Sequence, residues 1–249
     1  MTRLVWITGA STGIGLATAL AYARDGWTVA ASARDGAALA ALAADSAGRI
    51  HAFPLDVTDE PATLATHAAI VEALGPIELA IFSAGTHLPV ALETFETGIF
   101  RKLVEVNLMG VVHCLGAVLP AMTQRRGGQI AIVSSVAGYF GMPTAAAYGA
   151  TKSALITLAE ALKFDCDRYG IALSVINPGF VRTPLTDKNP FPMPFLIGPE
   201  VAAERIVRGL AAKRFEITFP RRFALILKLI RLLPYGLFFP LVAQGTKTR

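Results

Sequence analysis

The stretch LVWITGASTGIG, residues 4–15, joins a short apolar run to a loop carrying three glycines. The apolar part predicts a strand over 4–9, and helical periodicity begins at 13 and runs to about 25. Gly9, Gly13 and Gly15 allow a sharp turn, a close backbone approach to a ligand, and tight packing of helix on strand. The helix N-terminus then points its free N–H groups at whatever occupies the loop, which favours an anion. On its own a glycine triplet could be an ordinary strand-to-helix turn. Placed after the first strand and opening a helix, it reads as a loop for a dinucleotide pyrophosphate, with Ser11, Thr12 and Ile14 among the contacts.

The same alternation continues outward along the chain. Apolar β-type runs recur at 27–32, 50–55, 77–83, 129–135 and 171–179, with a weaker one at 215–219. Helical patterns lie between them, at about 36–46, 59–73, 96–124, 146–169 and 199–213. Strands alternating with amphipathic helices predict βαβ units. The expected fold is α/β: one Rossmann-like, doubly wound parallel β-sheet of about seven strands, with helices on both faces. No internal repeat or linker divides the chain, so residues 1–249 read as one domain, with 220–249 as an apolar, basic C-terminal extension. Ligands of such sheets bind beyond the carboxyl ends of the strands, so the chemistry is expected just after each strand.

Composition narrows the classes. Hydrophobic residues make up 53% of the 249 and charged ones only 16%, which describes a folded, heavily apolar chain rather than a disordered one. Cys114 and Cys166 have neither metal-ligand spacing nor a disulfide framework around them, and read as thiols in a reducing compartment. The opening MTRLVWITGA is too short an apolar run for a signal peptide, so a cytoplasmic location is expected. The net charge of +5 is uneven: from Pro199 onward there are ten Lys/Arg against three Asp/Glu. Without zinc spacing, RNA-binding aromatics or an Arg-rich recognition helix, this basic end does not indicate nucleic acid.

The end of the second strand bears on the cofactor. An acidic residue there would hold a ribose 2′-hydroxyl and repel a 2′-phosphate, but this chain has Ala33 followed by Arg34. A guanidinium can form charge-assisted bonds to a phosphate, so NADP(H) is expected, with Arg34 and also Ser11 and Thr12 at the 2′-phosphate. Arg34 could otherwise be a solvated surface residue. Asp35 fits the N-cap of the next helix.

In AAAYGATKSAL, 145–155, Tyr148 and Lys152 stand four apart, on one face of a helix. Alone, the pair would read as two surface side chains. Taken in order, TGASTGIG (8–15), DVTD (56–59), SAG (83–85), Asn107, SS (134–135), YGATK (148–152) and NPGFVRT (177–183) resemble the short-chain dehydrogenase/reductase family over about residues 4–215. The resemblance implies Tyr148 as general acid toward a carbonyl, Lys152 as the cation that lowers its pKa and bonds the nicotinamide ribose, and Ser135 as holder of the substrate oxygen. It also implies Asn107 as a helix-bending residue that positions a water for a proton relay through Lys152. Cofactor contacts follow at Asp56 and Val57 beside the adenine, at Ala84 and Gly85, and at Pro178, Gly179, Val181 and Thr183 after the sixth strand. The sequence departs from the family where Phe82-Ser83 precedes Ala84-Gly85 in place of two asparagines, and a weaker strand crossing is expected there.

The segment TPLTDKNPFPMPFLIG, 183–198, holds Phe191, Met193 and Phe195 among prolines and reads as an apolar flap over the site, with His87 lining the same pocket. Each of the four histidines reads as a lone satisfied side chain, and no metal is expected. In the tail, residues 223–233 form one short helix, too short at about 16 Å to cross a hydrocarbon core of about 30 Å. Packing in a homodimer or homotetramer, or over the pocket, ranks ahead of membrane-surface contact through 221–242. The leading function is an NADP(H)-dependent carbonyl reductase or alcohol dehydrogenase acting on an apolar small molecule. The alternatives are a non-catalytic dinucleotide-binding regulatory protein and a peripheral-membrane, lipid-metabolising reductase.

Overall fold

The computed structural model describes residues 3–187 and 193–246. Seven parallel strands form one sheet: β1 (Leu4–Thr8), β2 (Thr28–Ser32), β3 (Ile50–Ala52), β4 (Leu79–Phe82), β5 (Gly128–Val133), β6 (Ile171–Pro178) and β7 (Glu216–Phe219). Their order is β3-β2-β1-β4-β5-β6-β7, so the winding reverses between β1 and β4. That is where the carboxyl ends open a crevice.

Side chains alternate across the pleat. Leu4 and Trp6 of β1 join a core with Phe82, Ile130 and Leu173, covered by α3 (Glu60–Leu74), α5 (Gly110–Gln124) and α6 (Ala146–Arg168). Val5 and Ile7 join the opposite core, covered by α1 (Gly13–Arg24), α2 (Gly36–Ala44) and α7 (Pro199–Ala211). The expected doubly wound sheet is therefore present, with helices on both faces.

Three elements differ from the pattern read in the sequence. Strand β3 stops at Ala52, two residues before Pro54, which has no N–H for the ladder. The helix expected over 96–124 is α4 (Thr97–Leu103) and α5 joined by a π-helical turn, Val104–Met109, with Asn107 inside it. By length and composition Thr97–Gln124 could cross a membrane. Here its Val111, Cys114, Leu115 and Val118 are buried against the sheet. The tail holds two helices rather than one, α8 (Arg221–Arg231) and α9 (Tyr235–Thr246), separated at Pro234.

Candidate active site

A cleft of about 420 Å³ runs along the carboxyl ends of the strands. Its floor is the loop after β1. Gly9 has φ +68°, and a Cβ there would lie 2.8 Å from the Ala84 backbone, so only glycine lets β1 and β4 hand over this closely. At Gly15 a Cβ would meet the Gly9 carbonyl oxygen at 2.1 Å, which fixes the approach of α1 to the strand. Ser11, Thr12, Gly13 and Ile14 complete this wall. The Thr12 side chain makes no capping bond to α1, whereas Asp35 and Asp59 cap α2 and α3 with theirs. The first amides of α1 are thus left facing the cleft, an arrangement suited to an anion.

Arg34 lines the far end and is exposed, with no carboxylate paired to it among the described residues. Asp35 is turned away, its carboxylate accepting from the Ala38 N–H at 3.0 Å, as its capping position predicts. Asp56 and Val57 form the neighbouring wall. The Asp56 carboxylate accepts from Thr58, and the Val57 carbonyl lies 2.9 Å from His113 Nδ1.

The crossing after β4 carries the departure from the family pattern. Phe82 is buried, its ring edge-on to Trp6 at 6.0 Å. The turn is held by the buried Thr8 hydroxyl, which accepts from the Ser83 and Ala84 N–H groups at 3.2 and 3.3 Å. Asn107 continues the bracing. Its Oδ1 accepts from the Thr86 N–H at 2.7 Å, and its Nδ2 donates to the Thr86 carbonyl at 3.0 Å and to Thr151 Oγ1 at 3.2 Å. The side chain is fully buried and braces this loop against α6, with its Oδ1 and the Lys152 Nζ both beside Gly85. The π-turn makes this possible by widening the helix by one residue at that point.

The adjacent serines divide their work. Ser134 is buried and donates to the Lys152 carbonyl at 2.7 Å, which clamps α6 to the end of β5. Ser135 is half-buried, lines the cleft and hydrogen-bonds Tyr148. Its hydroxyl also accepts from the Ala137 N–H at 3.1 Å. The small residues near Tyr148 serve this clamp: a Cβ on Gly138 would lie 2.8 Å from the Lys152 backbone, and one on Gly149 3.2 Å from the Ala137 carbonyl.

Tyr148 and Lys152 both line the cleft from α6. The Lys152 ammonium lies 5.6 Å from the Tyr148 ring centroid and donates to the Val133 carbonyl at 2.9 Å. Burial lowers the Lys152 pKa to about 8. Burial also raises the Tyr148 phenol to about 12, against the smaller lowering effect of the Ser135 hydrogen bond. In the protein alone, burial is the larger influence, and Tyr148 holds its proton at neutral pH.

His87 packs its ring edge-on to Tyr148, centroids 4.8 Å apart. Its buried Nδ1 has no partner among the described residues, so the satisfied histidine expected there is not found. Burial also lowers its pKa, keeping the imidazole neutral. After β6, Pro178, Gly179, Val181 and Thr183 line the cleft, and Thr183 sits directly over Gly13. The Thr186 hydroxyl donates to the Val181 carbonyl at 2.7 Å and accepts from the Thr183 N–H at 3.0 Å, closing this segment into a turn.

The expected flap is only partly as read. Phe191 falls outside the described residues. Met193 is half-buried and, like Phe195, is not among the residues of the cleft wall. Phe195 is 52% exposed, with its ring 5.8 Å from that of Phe223 in α8, which in turn lies 5.9 Å from Phe180. Lys102 and Val106, on the cleft wall from α4 and the π-turn, had no motif to mark them.

A family model described as short chain dehydrogenase matches residues 3–191. An uncharacterised oxidoreductase of Myxococcus xanthus is 36% identical over 239 residues, covering 95% of this chain and 94% of that protein. A 3-oxoacyl-[acyl-carrier-protein] reductase of Thermotoga maritima is 31% identical, covering 86% and 87%. A variant of actinorhodin polyketide ketoreductase, solved with NADPH, superposes with a TM-score of 0.79 at 26% identity, over 87% of this chain and 94% of that one.

Proposed function

The chain belongs to the short-chain dehydrogenase/reductase family, and from that membership we propose that it is an NADP(H)-dependent oxidoreductase. Its reaction is hydride transfer between nicotinamide and the carbonyl or secondary alcohol of an apolar small molecule. The observation that carries this reading is the convergence of Ser135, Tyr148 and Lys152 on one wall of a cleft whose floor is a glycine loop at a helix N-terminus.

The cradle fits a dinucleotide, because side chains on Gly9 or Gly15 would collide with the backbone that shapes it. Gly13 and the first amides of α1 would hold the pyrophosphate, Arg34 the 2′-phosphate, Asp56 and Val57 the adenine, and Thr183 and Val181 the carboxamide end. The bound cofactor supplies the hydride.

The chain's own residues handle the proton. Ser135 holds the substrate oxygen, and Tyr148, protonated at neutral pH, gives its hydroxyl proton to that oxygen as the carbonyl carbon is reduced. The Lys152 ammonium stands behind the phenol to stabilise the tyrosinate left behind and to return a proton to it. Asn107 is a positioning residue that keeps the loop after β4 against α6. Two of the relatives are named as reductases of oxo compounds, and one was solved with NADPH, which supports carbonyl reduction and the phosphorylated cofactor. A screen of ketones, aldehydes and secondary alcohols with NADPH/NADP⁺ and NADH/NAD⁺ tests the proposal. Turnover with NADPH that is lost in Tyr148→Phe supports it, and turnover that favours NADH removes the assignment of Arg34.

A further inference from the structure

The last two helices leave an apolar surface beside the substrate mouth. Helix α8 presses Ala224 and Leu227 onto Val136, next to Tyr139 and Phe140, so its inner face is satisfied by its own protein. Its place is set by Lys228, which pairs with Glu216 of β7. On the opposite side Leu225, Leu229 and Leu232 recur at i, i+4 and i+7 and are 59%, 56% and 79% exposed. Helix α9 repeats the arrangement. Phe238 is buried, its ring 5.2 Å from that of Phe140, while Leu237 and Phe239 remain exposed on a helix with no charged residue. Arg221 and Arg222 stand exposed at the head of α8, with no carboxylate partner among the described residues.

We propose that the outer face of α8 and α9 docks the protein on the surface of an anionic bilayer. The eleven residues of α8 reach about 16 Å, so the helix can lie in the interface and cannot span it. An apolar ridge with cations at its end complements acyl chains and anionic headgroups together. The helix that carries the ridge is anchored beside the site: Phe223, on its inner face in the first turn of α8, packs on Phe180 and Phe195 and lies 3.2 Å from where a Cβ on Gly179 would stand. Docked this way, the mouth opens next to the bilayer, where an apolar carbonyl compound dissolves. That last step rests on the reductase reading; the docking itself does not.

The test is flotation of the full chain with phosphatidylcholine vesicles, with and without phosphatidylglycerol, alongside turnover of a water-soluble carbonyl substrate. Docking predicts flotation with the phosphatidylglycerol vesicles only, weakened by added salt. It also predicts that Leu225→Glu/Leu229→Glu lowers partitioning by about tenfold or more, with soluble turnover unchanged. No flotation, or equal flotation of that variant, overturns it. A variant that never floated differently but changed from oligomer to monomer would assign the face to a second copy instead. Absent turnover with normal flotation would count against the reductase reading and leave the docking standing.

Discussion

Lys152 places its ammonium on the Val133 carbonyl, 2.9 Å away, at the end of the strand that leads into Ser134 and Ser135. One bond thus fixes the cation, the helix that carries Tyr148, and the turn that carries the serine pair. Burial holds that ammonium at about 8, so it carries charge below this pH and loses it above. Carbonyl reduction at saturating cofactor is therefore expected to fall as pH rises through about 8. A rate profile flat through that point contradicts the role given to Lys152, and Lys152→Met should remove the limb along with most of the rate.

Arg34 is the only cation placed to read the 2′-phosphate from the end of β2 among the motif residues assigned to the cofactor. Removing a charge-assisted bond costs about 1.5–3 kcal/mol, so Arg34→Ala should weaken NADPH binding by about ten- to a hundredfold. Affinity for NADH should barely change. Titration of both cofactors by fluorescence checks this, and an equal loss for both would show that Arg34 does not discriminate.

Asn107 is fully buried and holds both Thr86 and Thr151. Asn107→Ala leaves the Thr86 N–H and carbonyl without these partners and should cost about 1–3 kcal/mol of stability. Because the loop after β4 is loosened, kcat should fall together with the melting temperature. Recovery of stability in Asn107→Ser with kcat still low would separate positioning from simple folding.

Glu216 joins β7 to α8 and to Tyr139. Burial alone would raise its carboxyl, but hydrogen bonds from Lys228, Tyr139 and Asn177 outweigh it and hold the group below its usual value. A depressed carboxyl contributes stability that is complete above the unfolded-state pKa and is lost as pH falls through the folded one. Melting curves of the wild type and Glu216→Gln should accordingly converge in acid and separate toward neutrality. Parallel curves would mean that the ion pair does not stabilise the attachment of α8.

Much of this was legible in residue pattern because it depends on local chemistry. The glycine loop, the Asp35 cap and the strand-helix alternation each follow from neighbours in sequence, and the cleft residues sit at strand ends where the winding rule puts them. What escaped detection depends on packing between distant segments. The Thr8 hydroxyl under Ser83 and Ala84 has no motif of its own. Desolvation of Tyr148 exists only once α6 and the serine turn are clamped together. The tail read as a single helix over 223–233, ending before Pro234, and α9 beyond it, with Pro240 inside, was not read. Pro234 alone hinted at α9, and nothing in 221–246 signalled that Phe223 would reach Phe180 and Phe195.

The central claim is that Tyr148 donates the proton while Ser135 and Lys152 position and support it. Its most direct test is single-turnover oxidation of NADPH by Tyr148→Phe, with a carbonyl substrate active on the wild type and cofactor affinity measured in parallel. The account predicts unchanged NADPH binding and a rate lower by about a hundredfold or more. A Tyr148→Phe variant that reduces the same substrate at the wild-type rate would contradict it.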